Sequence, residues 1–291
     1  MRPEREKRMT AIIGISVGRG GILCADSQET VYGYSKKSVQ KFKTELFNKP
    51  FRFAIGAAGP GHYCDLLMGQ ISSALLKLNE FNQTVISGAI TDVLIDFYPK
   101  HIWAKPAGER QDVDTLTLIQ ESQSSQTFLI HTSETAVNWV DDSYKAIGLG
   151  CYLAEYLLDI LLVPMGGEVH ALATAIYVLN QVIENIDGCG KEPQLIAFRR
   201  DGNHEIIFND EFKCAAQDLD QFWSDFRWIF HYITDVGDEQ GIAKSPDQIA
   251  QDIEDRREKF AEWSHMFKER REKYRNWFGY WGKKNSGGKT A

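Results

Sequence analysis

Apolar residues along this chain alternate between two spacings, and the order in which those spacings follow one another limits the fold more than any single motif. Thr10 to Val17 is an apolar stretch, and the turn Gly18-Arg19-Gly20-Gly21 leads to a second one from Ile22 to Ala25, which together predict a hairpin. Val39 to Phe42 and the alternating Phe51 to Ile55 predict another strand pair, turning at Asn48-Lys49. After a glycine-rich break at 56–61, Tyr63, Leu66, Leu67, Ile71, Ala74, Leu75 and Leu78 recur at helical steps, and a second helix is expected from Thr84 to Trp103. Alternation returns at Thr115 to Ile119, Thr127 to His131 and Ala136 to Val140. Leu153 to Leu162 and Val169 to Ile186 are again helical in spacing, and Gln194 to Phe198 with Glu205 to Phe208 predict a closing hairpin at Asp201-Gly202.

Strands, two helices, strands, two helices and strands make an α+β chain. Each sheet and each helix has an apolar face that must be covered. Two antiparallel sheets stacked face to face, with a helix pair outside each, cover all of them, so a four-layer αββα sandwich is expected over residues 10–208. Hydrophobic residues make up 43% and charged residues 25%, enough apolar material for one substantial core. The length of 291 residues fits one large domain with an appendage.

The appendage is a helical C-terminal extension at 209–282. Glu211 to Thr234 is crowded with aromatic residues, and Ser245-Pro246-Asp247-Gln248 supplies an N-cap, a first-turn proline and a capping-box glutamine for a long helix to about Phe278. Within it, Asp255 to Arg275 holds eight Lys/Arg against five Asp/Glu. With Trp263, Trp277 and Trp281 close by, this stretch reads as an assembly or docking element. Residues 283–291 are expected to be disordered, and residues 1–9 to be a removable leader or a start placed ahead of the true one at Met9.

A formal charge of −7 and a pI near 5.6 disfavour nucleic acid and anionic membranes as partners of the whole chain. Five scattered cysteines read as reduced thiols in a cytoplasmic protein. The opening residues lack the apolar region of a signal peptide, and no apolar run is long enough to span a bilayer. Gly14-Ile15-Ser16-Val17-Gly18 fits the nucleophile-elbow pattern, but its serine lies inside a strand followed by another strand, where that motif needs a helix. The seven histidines have no paired-ligand spacing, and Gly148-Leu149-Gly150 lacks the third glycine of a dinucleotide fingerprint. No cofactor and no metal are expected.

The first segment is more informative. Thr10-Ala11-Ile12-Ile13-Gly14-Ile15, followed by Gly21 to Thr30 with Asp26 sixteen residues after the threonine, resembles the start of mature proteasome β subunits and of the related bacterial heat-shock peptidase. Ser38-Val39-Gln40-Lys41-Phe42 is similar to the segment carrying that family's essential lysine. Ala54 to Gly59 resembles its strand-to-helix glycine segment, and Tyr144 to Gly150 the strand before its third helix. The resemblance covers about residues 10–208 and implies an N-terminal-nucleophile (Ntn) hydrolase of the proteasome β-subunit type.

That resemblance implies Thr10 as nucleophile once it is amino-terminal. A threonine hydroxyl is a poor nucleophile, and a free α-amino group on the same residue can take its proton. Lys41 would stabilise the developing alkoxide, Asp26 would pair with Lys41, and the Gly56 N–H would donate to the oxyanion. Thr30 would bind substrate backbone, and Asp187 would be a supporting residue. The chain departs from the family where Leu149 stands in place of a serine and where glycine follows Asp187. The expected activity is hydrolysis of peptide bonds in peptides or unfolded proteins by a homo-oligomer, a ring or a related assembly, with any ATPase partner left open. Two other readings use the same sequence: a non-catalytic scaffold subunit, and a nucleic-acid-binding accessory protein acting through the C-terminal helices.

Overall fold

The computed structural model describes residues 10–31, 35–46, 50–163, 167–190, 192–207, 212–217, 219–221 and 224, with backbone alone at 29–31, 35–37 and 205. The chain divides into two compact units, residues 1–216 and 217–291. The expected leader at 1–9, almost all of the helical extension at 209–282 and the tail at 283–291 lie outside the described residues.

The first unit holds two antiparallel five-stranded sheets. The first sheet contains β1 (Ala11–Ser16), β2 (Gly21–Ala25), β10 (Tyr144–Gly148), β11 (Gln194–Phe198) and β12 (His204–Ile207), in the order β10-β1-β2-β11-β12. The second contains β5 (Phe42–Glu45), β6 (Phe51–Ala58), β7 (Asp114–Glu121), β8 (Thr127–Ser133) and β9 (Ala136–Trp139), in chain order. A two-stranded ribbon, β3 (Gln28–Val31) with β4 (Ser35–Ser38), completes the strands. Among the described residues the long helices are α1 (Gly61–Leu75), α2 (Gln83–Tyr98), α3 (Cys151–Leu161) and α4 (Gly167–Asn185).

Strand alternation sorts side chains into separate cores. In β6, Phe51, Phe53, Ile55 and Ala57 face α1 and α2 and join Leu67, Ile71, Ile90, Leu94 and Phe97 in one buried cluster. The intervening Ala54 and Ala58 face the other way, into a second cluster with Ile12, Leu23, Leu116, Leu118, Leu129, Ile147 and Ile196 between the sheets. The outer face of the first sheet receives α4, packed on β1 and β2, and α3, packed on β10 and β1. Each fully buried Leu, Ile or Phe contributes about 1.5–3 kcal/mol through removal of its apolar surface from water.

Three differences from the sequence reading have physical causes. β6 does not end at Ile55 but continues through Gly56-Ala57-Ala58, because small residues fit where β1 and β5 come close: a Cβ on Gly56 would meet Ile12 Cδ1 at 3.1 Å and Phe42 Cε1 at 3.2 Å. The helix expected to run unbroken to Trp103 is α-helical to Tyr98 and π-helical from Pro99 to Trp103. Pro99 has no N–H for the regular helical bond, and the chain widens there. The ribbon β3–β4 was not anticipated, since its residues are polar and show no apolar alternation.

Candidate functional site

Thr10 stands one residue ahead of β1 and is 5% exposed. Its carbonyl oxygen accepts from the backbone N–H of Leu149 at 2.7 Å, where the chain leaves β10 for α3. That crossing requires a glycine at 148. Its φ is +89°, and a Cβ there would lie 2.0 Å from the Thr10 carbonyl oxygen. On the other side, the Lys41 ammonium Nζ donates to Thr10 Oγ1 at 3.0 Å.

Asp26 follows β2 directly and is fully buried. Its Oδ1 accepts from the Ala11 N–H at 2.8 Å and its Oδ2 from the Gly190 N–H at 3.0 Å. Burial raises its pKa to about 6, against the lowering effects of those two N–H groups, the Lys41 charge and the Gln28 N–H. The direct pairing expected between Asp26 and Lys41 is therefore replaced by a division of contacts. Asp26 anchors backbone on both sides of the site, Lys41 contacts Thr10, and the two charges act on each other through space.

Gly56 lies in β6 opposite Phe42, the residue after Lys41, and against Ile12, two residues after Thr10. Thr30 is a β3 position opposite Lys36. Asp187 is exposed on the turn after α4 and is not a hydrogen-bond partner of Asp26 or Lys41. Lys41 thus meets Thr10, with Asp26 beside them on the Ala11 N–H, while Gly56 packs on Ile12 and Phe42 and Asp187 makes none of these contacts. Ser16, the serine of the discounted elbow pattern, donates from Oγ to the Thr127 carbonyl at 2.9 Å, linking β1 of the first sheet to β8 of the second.

Several residues of the site carry no signal in the sequence. Ser27 Oγ accepts from the Glu192 N–H at 3.0 Å, and the Gln28 carboxamide donates to the Gly188 carbonyl at 3.1 Å. Cys189 is buried within reach of the Asp26 and Lys41 charges, and burial, followed by the Asp26 charge, pushes its thiol up to about 12. Gln194 bonds two backbone positions of the segment that carries Lys41. These contacts join positions more than 150 residues apart, so local pattern could not reveal them. Among the described residues no group of three or more His, Cys, Asp or Glu could hold a metal ion. Nor is any described helix long and apolar enough to cross a membrane.

No family model matches the chain, and no curated protein matches it. Solved structures do. An Anbu mutant from Hyphomicrobium sp. is 14% identical, covering 79% of this chain and 98% of that one, with a TM-score of 0.63. Anbu from Yersinia bercovieri, described as an ancestral β-subunit, is 10% identical over 75% of this chain and 96% of that one, with a TM-score of 0.62. The Anbu complex of Pseudomonas aeruginosa, a helical assembly, is 10% identical over 81% of this chain and 98% of that one, with a TM-score of 0.63. These findings correct the family read from the sequence: the similar structures are Anbu proteins, and the chain is not assigned to the proteasome β-subunit-like Ntn hydrolases. The segments that suggested that family include glycines imposed by packing, Gly148 by the Thr10 carbonyl and Gly56 by Ile12 and Phe42, so they mark an architecture more than a lineage. What this chain shares with Anbu is its fold.

Proposed function

We propose that the chain is a threonine-type amide hydrolase, built on a four-layer αββα sandwich, in which Thr10 becomes the nucleophile once it is amino-terminal. The observation that carries this reading is the 3.0 Å contact between the Lys41 ammonium and Thr10 Oγ1, with the Asp26 carboxylate buried alongside. A lysine whose charge is directed at a threonine hydroxyl stabilises the alkoxide form of that hydroxyl.

In the proposed reaction, Thr10 Oγ1 bonds to the carbonyl carbon of a peptide while its proton passes to the free α-amine of the same residue. The Gly56 N–H donates to the oxyanion. The C–N bond then breaks, the leaving amine takes the proton, and an ester to Thr10 remains. Water attacks that ester with the α-amine as base, releasing a carboxylate product and restoring the hydroxyl. Asp26 holds the Ala11 N–H and so fixes the residue next to the nucleophile. Thr30 would receive the substrate backbone. The substrates are peptides or unfolded proteins, and the working form is a cytoplasmic homo-oligomer, as the assembled Anbu of P. aeruginosa suggests.

A scaffold subunit without activity is the second reading. It is favoured by Leu149, whose backbone N–H bonds the Thr10 carbonyl but whose apolar side chain has no hydroxyl to offer the amine. Intact mass of the native protein, followed by an epoxyketone that couples to an amino-terminal threonine, separates the two. A chain beginning at Thr10 and labelled there is expected. A chain beginning at Thr10 that stays unlabelled, and hydrolyses no peptide, establishes the scaffold.

A further inference from the structure

Lys41 is held at its station by a chain segment with little order of its own. Residues 39–41 lie between β4 and β5 and belong to no strand. One backbone bond, from the Val39 N–H to the Ser27 carbonyl at 2.9 Å, ties the segment to the loop after β2. Two more of its backbone groups meet a single side chain. Gln194 Oε1 accepts from the Lys41 N–H at 2.9 Å, and Gln194 Nε2 donates to the Val39 carbonyl at 2.8 Å.

We infer that Gln194 is the positioning residue of Lys41, its carboxamide serving the 39–41 segment as a missing strand would and thereby setting the height of the lysine against Thr10. This deepens the hydrolase reading above and rests on it for its catalytic consequence, though the clamp itself is a matter of geometry.

A carboxamide suits this place because it presents one donor and one acceptor at the separation of a peptide group. Its orientation is set by its partners, since only the oxygen can accept from an N–H and only the nitrogen can donate to a carbonyl. Glutamate keeps the acceptor and loses the donor, and methionine of similar length loses both. The other end of Gln194 is equally well fixed. It opens β11, paired with Ala25 of β2, and Ala25 directly precedes Asp26. One end of the β2–β11 pair thus carries the anchor of the carboxylate and the anchor of the ammonium, and a shift of either strand would move both.

Two measurements on the full chain test the inference. In the first, trace acetylation with acetic anhydride is quantified by mass spectrometry at Lys41 relative to the exposed Lys43. Gln194→Met is expected to raise that ratio at least about fivefold, as an ammonium released from its contact becomes accessible, and Gln194→Glu to raise it less. In the second, on protein beginning at Thr10, kcat for a fluorogenic peptide is expected to fall on the order of 100-fold in Gln194→Met with KM nearly unchanged, since a misplacement of about 1 Å carries that penalty. Gln194→Glu, which retains the bond to the Lys41 N–H, should recover part of the loss. An unchanged acetylation ratio in either folded variant overturns the clamp. A raised ratio in a protein whose wild type hydrolyses nothing and takes no epoxyketone leaves the clamp standing and removes the hydrolase reading instead.

Discussion

The Arg52 guanidinium lies over the Phe198 ring, with Cζ 4.7 Å from its centroid, and so binds a strand of the second sheet to a strand of the first. The same side chain donates from Nε to Gln120 Oε1 at 2.7 Å and from its terminal nitrogens to the Gly202 and Asn203 carbonyls, each at 2.6 Å. Burial lowers its pKa to about 10, which leaves it charged at neutral pH. A fork of five donors is well used here, and a point charge would not replace it. Arg52→Ala is expected to cost about 1–3 kcal/mol in denaturant unfolding, because the buried Gln120 Oε1 loses its donor. Arg52→Lys should recover less than half of that loss. A cost below about 1 kcal/mol for the alanine would show that water replaces the guanidinium without penalty.

Glycines 148 and 18 both have positive φ, +89° and +76°, but only the first is crowded. Gly18→Ala, with nothing near its Cβ, should cost about 1 kcal/mol from backbone strain alone. Gly148→Ala must also push the Thr10 carbonyl away from 2.0 Å, so it should cost several-fold more and displace the nucleophile. Equal losses in the two variants, read from urea midpoints, would remove the role assigned to the Thr10 contact.

Asp26 makes stability and activity respond to pH in opposite directions. Its folded pKa of about 6 lies above the ordinary 3.8, so the folded chain holds a proton that the unfolded chain has released. Its contribution to stability is therefore greatest below about pH 4 and declines as pH rises through 6, by a total on the order of 3 kcal/mol. Hydrolysis should instead rise through about pH 6, as the carboxylate that supports the Lys41 charge becomes ionised. The unfolding free energy of wild type minus that of Asp26→Asn should fall by about that amount from pH 4 to 7. A constant separation would mean that Asp26 is ionised throughout.

The buried Thr117 hydroxyl, on β7 between Ile55 and Ile130, has no hydrogen-bond partner among the described residues. Valine has the same shape without the unmet polar group. Thr117→Val is expected to stabilise the protein by about 1 kcal/mol, and a loss of stability would reveal a partner that valine cannot serve.

The alternation of β6, β7 and β8 and the helical steps of α1 were legible because each element buries one face against its neighbours and writes that face into its sequence. The ribbon β3–β4 could not be read this way, since Gln28 to Val31 and Ser35 to Ser38 have no apolar face to record. In the site, Thr10, Asp26 and Lys41 came forward through the resemblance of the segments around them, since each lies just outside a strand and has no pattern of its own. Gln194 and Gln28 did not. They act on backbone groups far along the chain, and a glutamine that does so has the same spelling as one facing water. Leu149 shows the opposite failure: its side chain drew attention, while its backbone N–H makes the contact to Thr10.

β1 has hydrogen-bonded neighbours on both sides, β10 and β2, from its first residues onward. Chain ends are usually the loosest part of a domain, fraying by several residues. Here the backbone just after Thr10 is already stitched on its left, on its right and, through Asp26, from below. A terminus created at that point would begin life as immobile as the middle of a sheet, with its hydroxyl already held by Lys41.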